Sequence, residues 1–510
     1  MKKHRLWFPL VVVAAAGASF AVATRRADED LNIATMQALA TGALALLLLG
    51  VWWLFLSRFP LRLRVGVFLG LALVGAVMGA LVETDGTSGS VMPIVKWRFA
   101  DDAGELASVP TTTDLSVAVD DVDELFVGPS DWPEFRGPFR DGIARGQTVG
   151  DGEPALVWRR SVGPGWSSFC ALGDWLFTQE QRGEYECVVA YDASNGEERW
   201  VVSDEDRYDT YLGGIGPRAT PTFSGGRLYT VGANGRVNAL VAHSGERIWQ
   251  RNMREDAKTK LIEWGYACSP LVVDDLVIVV PGANGGSDGG SSVIAYDRET
   301  GDVRWRCGDR AAGYAAARRE TIAGEDLVLA FGIEGLAAHA LDGGAELWFA
   351  PWSNTARNGS AQPLVVGERI LLSVFSGGAT LLEPKRSEAG AWSVDTVWAQ
   401  RRFQLKFNGM VERDGVVYGL DGGILAAIDL ETGDRLWKDG RYGFGQLLLA
   451  DDALVVLTEF GDVVIAHVDR EGIDVRAEFE AIDGKCWNHP VLRDGRLYVR
   501  SDVEMACYAF

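Results

Sequence analysis

The chain has 510 residues, 47% of them hydrophobic, so it is long enough to bury a large core in one domain or in several. Its formal net charge is −21. Residues 1–82 carry eight Lys/Arg against three Asp/Glu, which leaves a balance of −26 for the rest. Because binding of nucleic-acid phosphates needs a basic surface, the negative charge of residues 83–510 argues against nucleic acid as a partner.

Three apolar runs open the chain, at 7–24, 36–57 and 65–82. The first follows the basic sequence MKKHR and is either a cleaved signal sequence or a first transmembrane helix. The other two are long enough to span a bilayer. The basic stretches MKKHR and SRFPLRLR are expected to remain in the cytoplasm. The sequence therefore predicts a membrane domain over 1–82 with two to three α-helices, and an exported remainder.

Residues 83–130 are polar and acidic, and their composition predicts a flexible linker with little structure of its own. From 131 to 510 the chain is rich in Gly and Trp and lacks long amphipathic helical patterns. Such a composition is typical of a turn-rich β protein. We therefore expect one exported β domain held at the surface of the cytoplasmic membrane by a multi-pass anchor, on its periplasmic or extracellular side.

An eleven-residue pattern recurs in this domain, with Ala at its start, Gly six residues later and Trp four residues after that. Such self-similarity at a period of roughly 40 to 56 residues marks a repeat fold. The five full copies contain Ala190, Gly196, Trp200; Ala239, Gly245, Trp249; Ala295, Gly301, Trp305; Ala338, Gly344, Trp348; and Ala427, Gly433, Trp437.

Each part of the pattern has a physical role. The apolar run before the Ala predicts a strand, and the Gly takes the positive φ that ends a short hairpin loop. The Trp lies on the returning strand and buries a large surface against the next unit. Two further apolar runs precede each hairpin, which makes four short antiparallel strands per unit, as in a propeller blade.

Seven outer strands and an early eighth, marked by Trp158, predict eight blades. The last unit, 486–510, has only three strands before the chain stops, whereas 155–161 is a strand without a hairpin before it. The simplest closure pairs 155–161 with 486–510. The predicted fold is thus an all-β, eight-bladed propeller of four-stranded antiparallel blades, preceded by an α-helical transmembrane segment.

The Ala-x-Asp-x-x-x-Gly-x-x-x-Trp pattern resembles that of the PQQ-repeat, or quinoprotein-like, propeller family, over roughly residues 130–510. The sequence DWPEFRGPFRDGIA at 131–144 is similar to a lead-in found before the propeller in exported bacterial members. The resemblance implies one of two functions. Some members are PQQ-dependent dehydrogenases of alcohols or sugars; others are non-catalytic, such as the propeller lipoprotein of the outer-membrane β-barrel assembly machine.

The dehydrogenase alternative would need PQQ at the ring centre, a calcium ion with oxygen ligands and a catalytic carboxylate. No set of Glu, Asn and Asp can be assigned as calcium ligands and catalytic carboxylate. The six cysteines include no adjacent pair, and the blades carry no large insertions. We therefore expect no catalytic residues, no metal and no cofactor. The favoured interpretation is a binding or assembly scaffold with a protein or peptide partner.

The best candidate for a binding surface is the mouth of the central channel, where the inner strands start. Several residues there are large or polar where a plain core would be aliphatic. This candidate ligand site consists of Trp166, Arg218, Tyr266, Arg318, Asn358, Asn408, Trp487, Asn488 and His489.

Overall fold

The protein is described by a computed structural model over residues 7–26, 31–99, 125–150, 152–283, 290–352 and 359–510. It divides into two compact units, Met1–Asp102 and Ala103–Phe510. In the described residues the first unit is mainly helical, and the second consists almost entirely of β-strands.

The helices of the first unit are α1 (Trp7–Arg26), α2 (Leu31–Val51), a π-helical continuation (Trp52–Leu56) and α3 (Leu61–Leu81). The stretch Ala34–Leu56 and helix α3 are long and apolar enough to cross a membrane, whereas the apolar part of α1 is shorter. Helices α1 and α2 share polar contacts: the Ser19 Oγ lies 3.0 Å from the Thr41 Oγ1, and the Gln37 Nε2 donates to the Ser19 Oγ at 3.4 Å.

The segment predicted as a flexible linker begins with regular structure. Strands β1 (Val82–Thr87) and β2 (Pro93–Trp97) form an antiparallel hairpin. Its turn is closed by Ser88, whose Oγ accepts a hydrogen bond from the Met92 N. Composition alone missed this hairpin because both strands are short and β1 is polar. Residues 100–124 of the linker lie outside the described residues, and Leu125 packs against the second unit's core.

The strands of the second unit up to the middle of the chain form successive sheets, each named here by its first strand. The bounds are β3 (Ile143–Ala144), β4 (Ala155–Ser161), β5 (Cys170–Leu172), β6 (Trp175–Arg182), β7 (Tyr185–Asp192), β8 (Glu198–Glu205), β9 (Asp209–Thr210), β10 (Gly214–Ile215), β11 (Thr222–Ser224), β12 (Arg227–Val231), β13 (Arg236–Val241), β14 (Arg247–Asn252), β15 (Leu271–Val273), β16 (Leu276–Val279), β17 (Val293–Asp297) and β18 (Val303–Cys307). A short helix α4 (Met253–Ala257) follows β14.

The later strands continue the same arrangement. They are β19 (Arg318–Ile322), β20 (Glu325–Gly332), β21 (Gly335–Ala340), β22 (Glu346–Pro351), β23 (Leu364–Val366), β24 (Arg369–Val374), β25 (Gly378–Arg386), β26 (Trp392–Gln400), β27 (Met410–Arg413), β28 (Val416–Asp421), β29 (Ile424–Asp429), β30 (Arg435–Arg441), β31 (Gln446–Ala450), β32 (Leu454–Leu457), β33 (Asp462–Val468), β34 (Ile473–Glu480), β35 (Val491–Arg493), β36 (Arg496–Arg500) and β37 (Glu504–Ala509).

Consecutive strands pair antiparallel in groups of four, beginning at β5, β11, β15, β19, β23, β27 and β31. The last group, β35 to β37, takes its fourth strand from the start of the domain: Glu504–Ala509 pairs antiparallel with Ala155–Ser161. The first strands of neighbouring sheets contact one another, as β11 contacts β15 and β27 contacts β31. First strands therefore lie innermost and fourth strands outermost, as in a β-propeller.

The recurring Ala, Gly and Trp make one connected contact from sheet to sheet. Within each copy the Ala pairs directly across the hairpin with the Trp, as Ala295 does with Trp305. The Gly has a positive φ and accommodates the Trp of the preceding sheet: a Cβ on Gly301 would stand 2.7 Å from the ring of Trp249. The Trp249 indole also donates to the Arg298 O at 3.0 Å. The pattern thus joins neighbouring sheets.

We expect Gly301→Ala to lower the free energy of unfolding by about 2–4 kcal/mol, because it combines a left-handed φ of 74° with a clash against Trp249. The matched control is Gly324→Ala, which has the same φ of 74° but no atom within 4 Å of an added Cβ. The control should lose only the conformational part, about 1–2 kcal/mol. Denaturant unfolding followed by tryptophan fluorescence measures both, and equal losses would contradict the role of Trp249.

Candidate functional site

Two of the predicted site residues fasten neighbouring inner strands together. The Asn408 Nδ2 donates to the Gly445 O, and the Asn488 Nδ2 donates to the Ser167 O at 2.7 Å and to the Gly165 O at 3.1 Å. Both amides are buried. Bonds of the same kind connect Ser168 with Thr220, Thr220 with Ser269, Ala316 with Gln362, and Gln446 with Trp487.

The segment Asp131–Ala144, called the plug segment here, crosses the middle of the propeller. Trp132 forms an antiparallel bridge with Ala171 of the β5 sheet, and Ile143–Ala144 runs parallel to β31. The buried Arg140 donates to the Ala317 O at 2.7 Å and to the Pro270 O at 2.5 Å. Because one segment contacts the β5, β15, β19 and β31 sheets, it fills part of the central channel.

Within the plug segment, the Arg136 side chain lies near the axis of the propeller. Its Nη2 donates to the Asp141 O at 2.7 Å and to the Met410 O at 2.6 Å, while its Nε and Nη1 have no hydrogen-bond partner within the described residues. Position 409 must be Gly, because a Cβ there would overlap the Arg136 guanidinium. Burial lowers the pKa of Arg136 to about 10.

His489 packs against the plug segment. Its ring stacks on Phe135 of the plug segment with 4.9 Å between ring centroids. Burial, with the nearby Arg136 cation, places the pKa of His489 well below its usual value, so the ring is neutral at pH 7. Arg318 also contacts the plug segment, since its Nη1 donates to the Arg140 O at 3.1 Å.

An arc of aromatic side chains lies just before the first strands, where the inner strands start. Trp487 lies 4.7 Å from Trp166 on one side and 4.7 Å from Phe407 on the other, between ring centroids. The arc continues from Phe407 to Phe444 and from Phe444 to Phe375. These five residues, together with Lys406 and Lys485, are called the aromatic mouth here.

Two lysines lie over the rings of the mouth. The Lys485 Nζ is 4.4 Å from the ring of Trp487 and 4.9 Å from that of Trp166, and the Lys406 Nζ is 5.2 Å from the ring of Phe444. A cation at these distances is attracted to the face of an aromatic ring. The Trp487 indole donates to the Glu459 Oε1 at 3.1 Å. The mouth therefore combines aromatic rings, some half-buried, with two lysines and a buried carboxylate.

Arg218 lies beside the mouth, against the small hairpin β9–β10. Its guanidinium stands 4.3 Å from the ring of Tyr208 and donates to the Gly213 O, which also accepts from the Trp166 indole at 2.6 Å. Burial lowers the pKa of Arg218 to about 10. The neighbouring Glu186 is buried as well, and burial raises its pKa to about 8 despite a hydrogen bond from the Ala233 N.

The structure divides the predicted candidate site among several places. Trp166, Arg218 and Trp487 come together at the mouth. Asn408 and Asn488 join inner strands, and Arg318 and His489 contact the plug segment. Tyr266 is fully buried in a hydrophobic cluster and belongs to the core. Asn358 lies outside the described residues.

Sequence reasoning missed both lysines and three phenylalanines of the mouth. A signal for them exists: Lys406-Phe407-Asn408 and Lys485-Cys486-Trp487-Asn488 each place Lys, an aromatic residue and Asn just before a first strand. In both, the Asn fastens the next sheet while the aromatic residue and the Lys remain at the channel mouth.

The six cysteines are free thiols, five of them buried. Burial raises the pKa of Cys268 to about 11 and that of Cys307 to about 12. The thiolate is the reactive form, so we expect no thiol to react with an aromatic disulfide reagent at pH 8 within minutes, and all six to react after denaturation. Cys307, half-buried and 3.3 Å from the His339 Nδ1, should be the first to react on partial unfolding. Rapid labelling of the folded chain would contradict this.

Four-stranded antiparallel sheets, joined from one to the next by a Trp seated on a Gly, define a β-propeller of the PQQ-repeat class. The chain belongs to the family described as outer membrane protein assembly factor BamB, whose model matches residues 184–439.

A curated relative from Burkholderia pseudomallei, outer membrane protein assembly factor BamB, is 26% identical over 303 residues, covering 56% of this chain and 69% of that protein. The quinohemoprotein alcohol dehydrogenase ADH IIB of Pseudomonas putida is 31% identical over 129 residues, but the match covers 23% of this chain and 17% of the enzyme. The crystal structure of BamB from Moraxella catarrhalis shares the fold, with a TM-score of 0.52 at 18% identity, covering 70% of this chain and 98% of that one.

Proposed function

We propose that the protein is a membrane-anchored, exported β-propeller that acts as a non-catalytic binding scaffold in the assembly of other proteins. The observation that carries the proposal is the central channel. The chain's own Asp131–Ala144 lies within it, and the residues just before the first strands present half-buried aromatic rings beside two lysines. Membership of the BamB family and the assembly function in the name of the Burkholderia relative support it.

The sheets starting at β5, β11, β15, β19, β23, β27, β31 and β35 would be eight blades of one ring. Three contacts between the start and the end of the domain support this closure. Strand β4 pairs with β37, the Ser168 Oγ donates to the His489 O at 2.5 Å, and the buried Arg500 donates to the Gln179 O at 3.1 Å. A ring closed in this way leaves only short, protected sheet edges.

Helices α1, α2 and α3 would be three passes through the cytoplasmic membrane, with the propeller on the periplasmic or extracellular side. The contacts of Ser19 with Thr41 and Gln37 support a retained α1, since polar side chains within a bilayer pair with one another between helices. The basic residues between α2 and α3 would then face the cytoplasm.

The residues at the channel axis do not fit a calcium-dependent quinone cofactor. Calcium takes six to eight oxygen ligands, usually with carboxylates among them. The plug segment instead brings the Arg136 cation to the axis, and Asn408 and Asn488 already use their amides between strands. The carboxylate of Glu459 accepts from the Trp487 indole and from the Phe444 N. We therefore propose that no PQQ or calcium is bound and that the dehydrogenase alternative does not apply.

Crosslinking in native cell membranes followed by mass spectrometry tests the scaffold proposal. A photoreactive residue at Phe460, an exposed side chain next to Glu459, should give a discrete crosslinked protein partner. The same residue at the exposed Phe139 on the plug segment should not. Repeated recovery of the uncrosslinked protein alone would contradict the proposal. So would reduction of an electron-acceptor dye by the purified full chain with PQQ, calcium and an alcohol.

A further inference from the structure

The hairpin β1–β2 follows the last apolar helix without an intervening residue. Helix α3 ends at Leu81 and β1 begins at Val82. The 21 residues of α3 are about 30 Å long, which is the thickness of the hydrocarbon core of a bilayer. Two hydrogen bonds hold the end of β2 beside the helix: the Arg98 N donates to the Leu81 O at 2.8 Å, and the Arg98 Nη2 donates to the Gly79 O at 3.3 Å. A transmembrane α3 therefore places this end of the hairpin at the surface of the same bilayer.

One face of the hairpin is apolar and uncovered. Side chains alternate between the two faces along a strand, and residues directly opposite each other share a face. The face that holds Trp97 and Val95 also holds their pairing partners, Val82 and Thr84. Trp97 is 59% exposed and Val95 is 61% exposed, so no part of the chain that the structure describes covers them. An isolated two-stranded hairpin is only marginally stable in water, so such a face calls for a partner.

The charged side chains of the hairpin interact on the other face. Lys96 pairs directly with Glu83, and the Lys96 Nζ lies 3.5 Å from the Glu83 Oε1. The Arg98 Nε lies 3.7 Å from the Glu83 Oε2. Phe99, which is 76% exposed, follows at once. Aromatic residues, with Lys and Arg close by, are typical of the boundary between headgroups and hydrocarbon at the end of a transmembrane helix.

We propose that the apolar face of the β1–β2 hairpin docks on the bilayer that α3 crosses, on its exported side, with Trp97 and Val95 in the interface between headgroups and acyl chains. This inference rests on the membrane anchor of the proposed function and adds a second contact with the same membrane. The occupant is lipid because Trp97 pairs with Val82, the first residue after the helix. The contact gains from burial of apolar area and needs no anionic headgroup.

Photocrosslinking to lipid tests the docking. The full chain is reconstituted in phosphatidylcholine vesicles with a photoreactive amino acid at Trp97, Val95 or Lys96, and lipid adducts are quantified by mass spectrometry. We expect yields at Trp97 and Val95 at least about threefold above the yield at Lys96. Lys96 is the matched control, because it lies between the other two on β2 but on the opposite face. Equal yields at the three positions would overturn the proposal.

A position inside α3 separates this inference from the membrane anchor itself. Leu71 is exposed and lies midway along α3, so a photoreactive residue there should form adducts with acyl chains. Adducts at Leu71 with none at Trp97 and Val95 would overturn the docking and leave the anchor standing. Absence of adducts at Leu71 as well would overturn both.

Reaction with a membrane-impermeant maleimide gives an independent measurement in the same vesicles. The thiol of Val95→Cys should react at least about fivefold more slowly than that of Lys96→Cys, because lipid shields it. The six native thiols are buried or half-buried, and the chain without an added cysteine gives the background. In a Trp97→Asp background the two rates should become similar, since a carboxylate on the apolar face opposes its burial. Equal rates without that substitution, or a difference that persists with it, would overturn the proposal.

Discussion

Replacing Arg500 by Met is expected to lower the free energy of unfolding by about 3–5 kcal/mol, because it leaves several buried acceptors without a donor. Arg500 stands at the end of β36 in the last sheet and is completely buried. Its guanidinium donates to the Gly163 O at 3.0 Å, to the Gln179 O at 3.1 Å and to the Thr178 Oγ1. All three acceptors belong to the first part of the β domain, so the side chain helps to hold the two ends of the domain together.

The matched control for this prediction is Arg496→Met, four residues earlier on the same strand and half-exposed. It should change the free energy of unfolding by less than about 1 kcal/mol. Urea unfolding of both variants, followed by tryptophan fluorescence, provides the comparison. If the two variants lose the same stability, Arg500 does not hold the two ends of the domain together.

The comparison of Arg496 with Arg500 also shows where sequence-based prediction ends. Both residues lie on one strand, RLYVR, and alternation predicts the same half-exposed face for both. Only the approach of the first sheet, more than 300 residues away along the chain, buries Arg500. The recurring Ala, Gly and Trp were predictable because their contacts repeat at a fixed spacing. A contact made once, at the meeting of the chain ends, leaves no such signal.

The candidate site was predictable to a similar extent. The position of first-strand starts followed from the repeat, which placed Trp166, Arg218 and Trp487 near one another; their role in binding stays a prediction. The plug segment was recognised as a lead-in to the propeller, but not as a segment that fills part of the channel, because its partners come from several sheets. Arg140, for example, donates to carbonyl groups of Pro270 and Ala317, and a backbone acceptor has no sequence signature.

Glu186→Gln is expected to change how stability depends on pH. Glu186 lies at the start of β7, is 6% exposed and accepts a hydrogen bond from the Ala233 N at 3.0 Å. Burial raises the pKa of this carboxyl from 4.5 to about 8, and the nearby acidic Asp206 contributes to the rise. The folded protein therefore keeps the proton between about pH 4.5 and pH 8, whereas the unfolded chain releases it.

The sign follows from linkage. Where the folded state binds more protons than the unfolded state, stability falls as pH rises, so Glu186 should cost about 3–5 kcal/mol between pH 4.5 and pH 8, with no further loss above pH 8. Gln keeps the acceptor for the Ala233 N but cannot ionise, so the variant should be more stable than the natural protein at pH 8 and close to it at pH 4.5. Denaturant unfolding at a series of pH values measures the difference.

Glu184→Gln, two residues earlier and exposed, is the control and should leave the pH profile unchanged. A Glu186→Gln profile that runs parallel to that of the natural protein would show that this carboxyl is already ionised in the folded state at neutral pH.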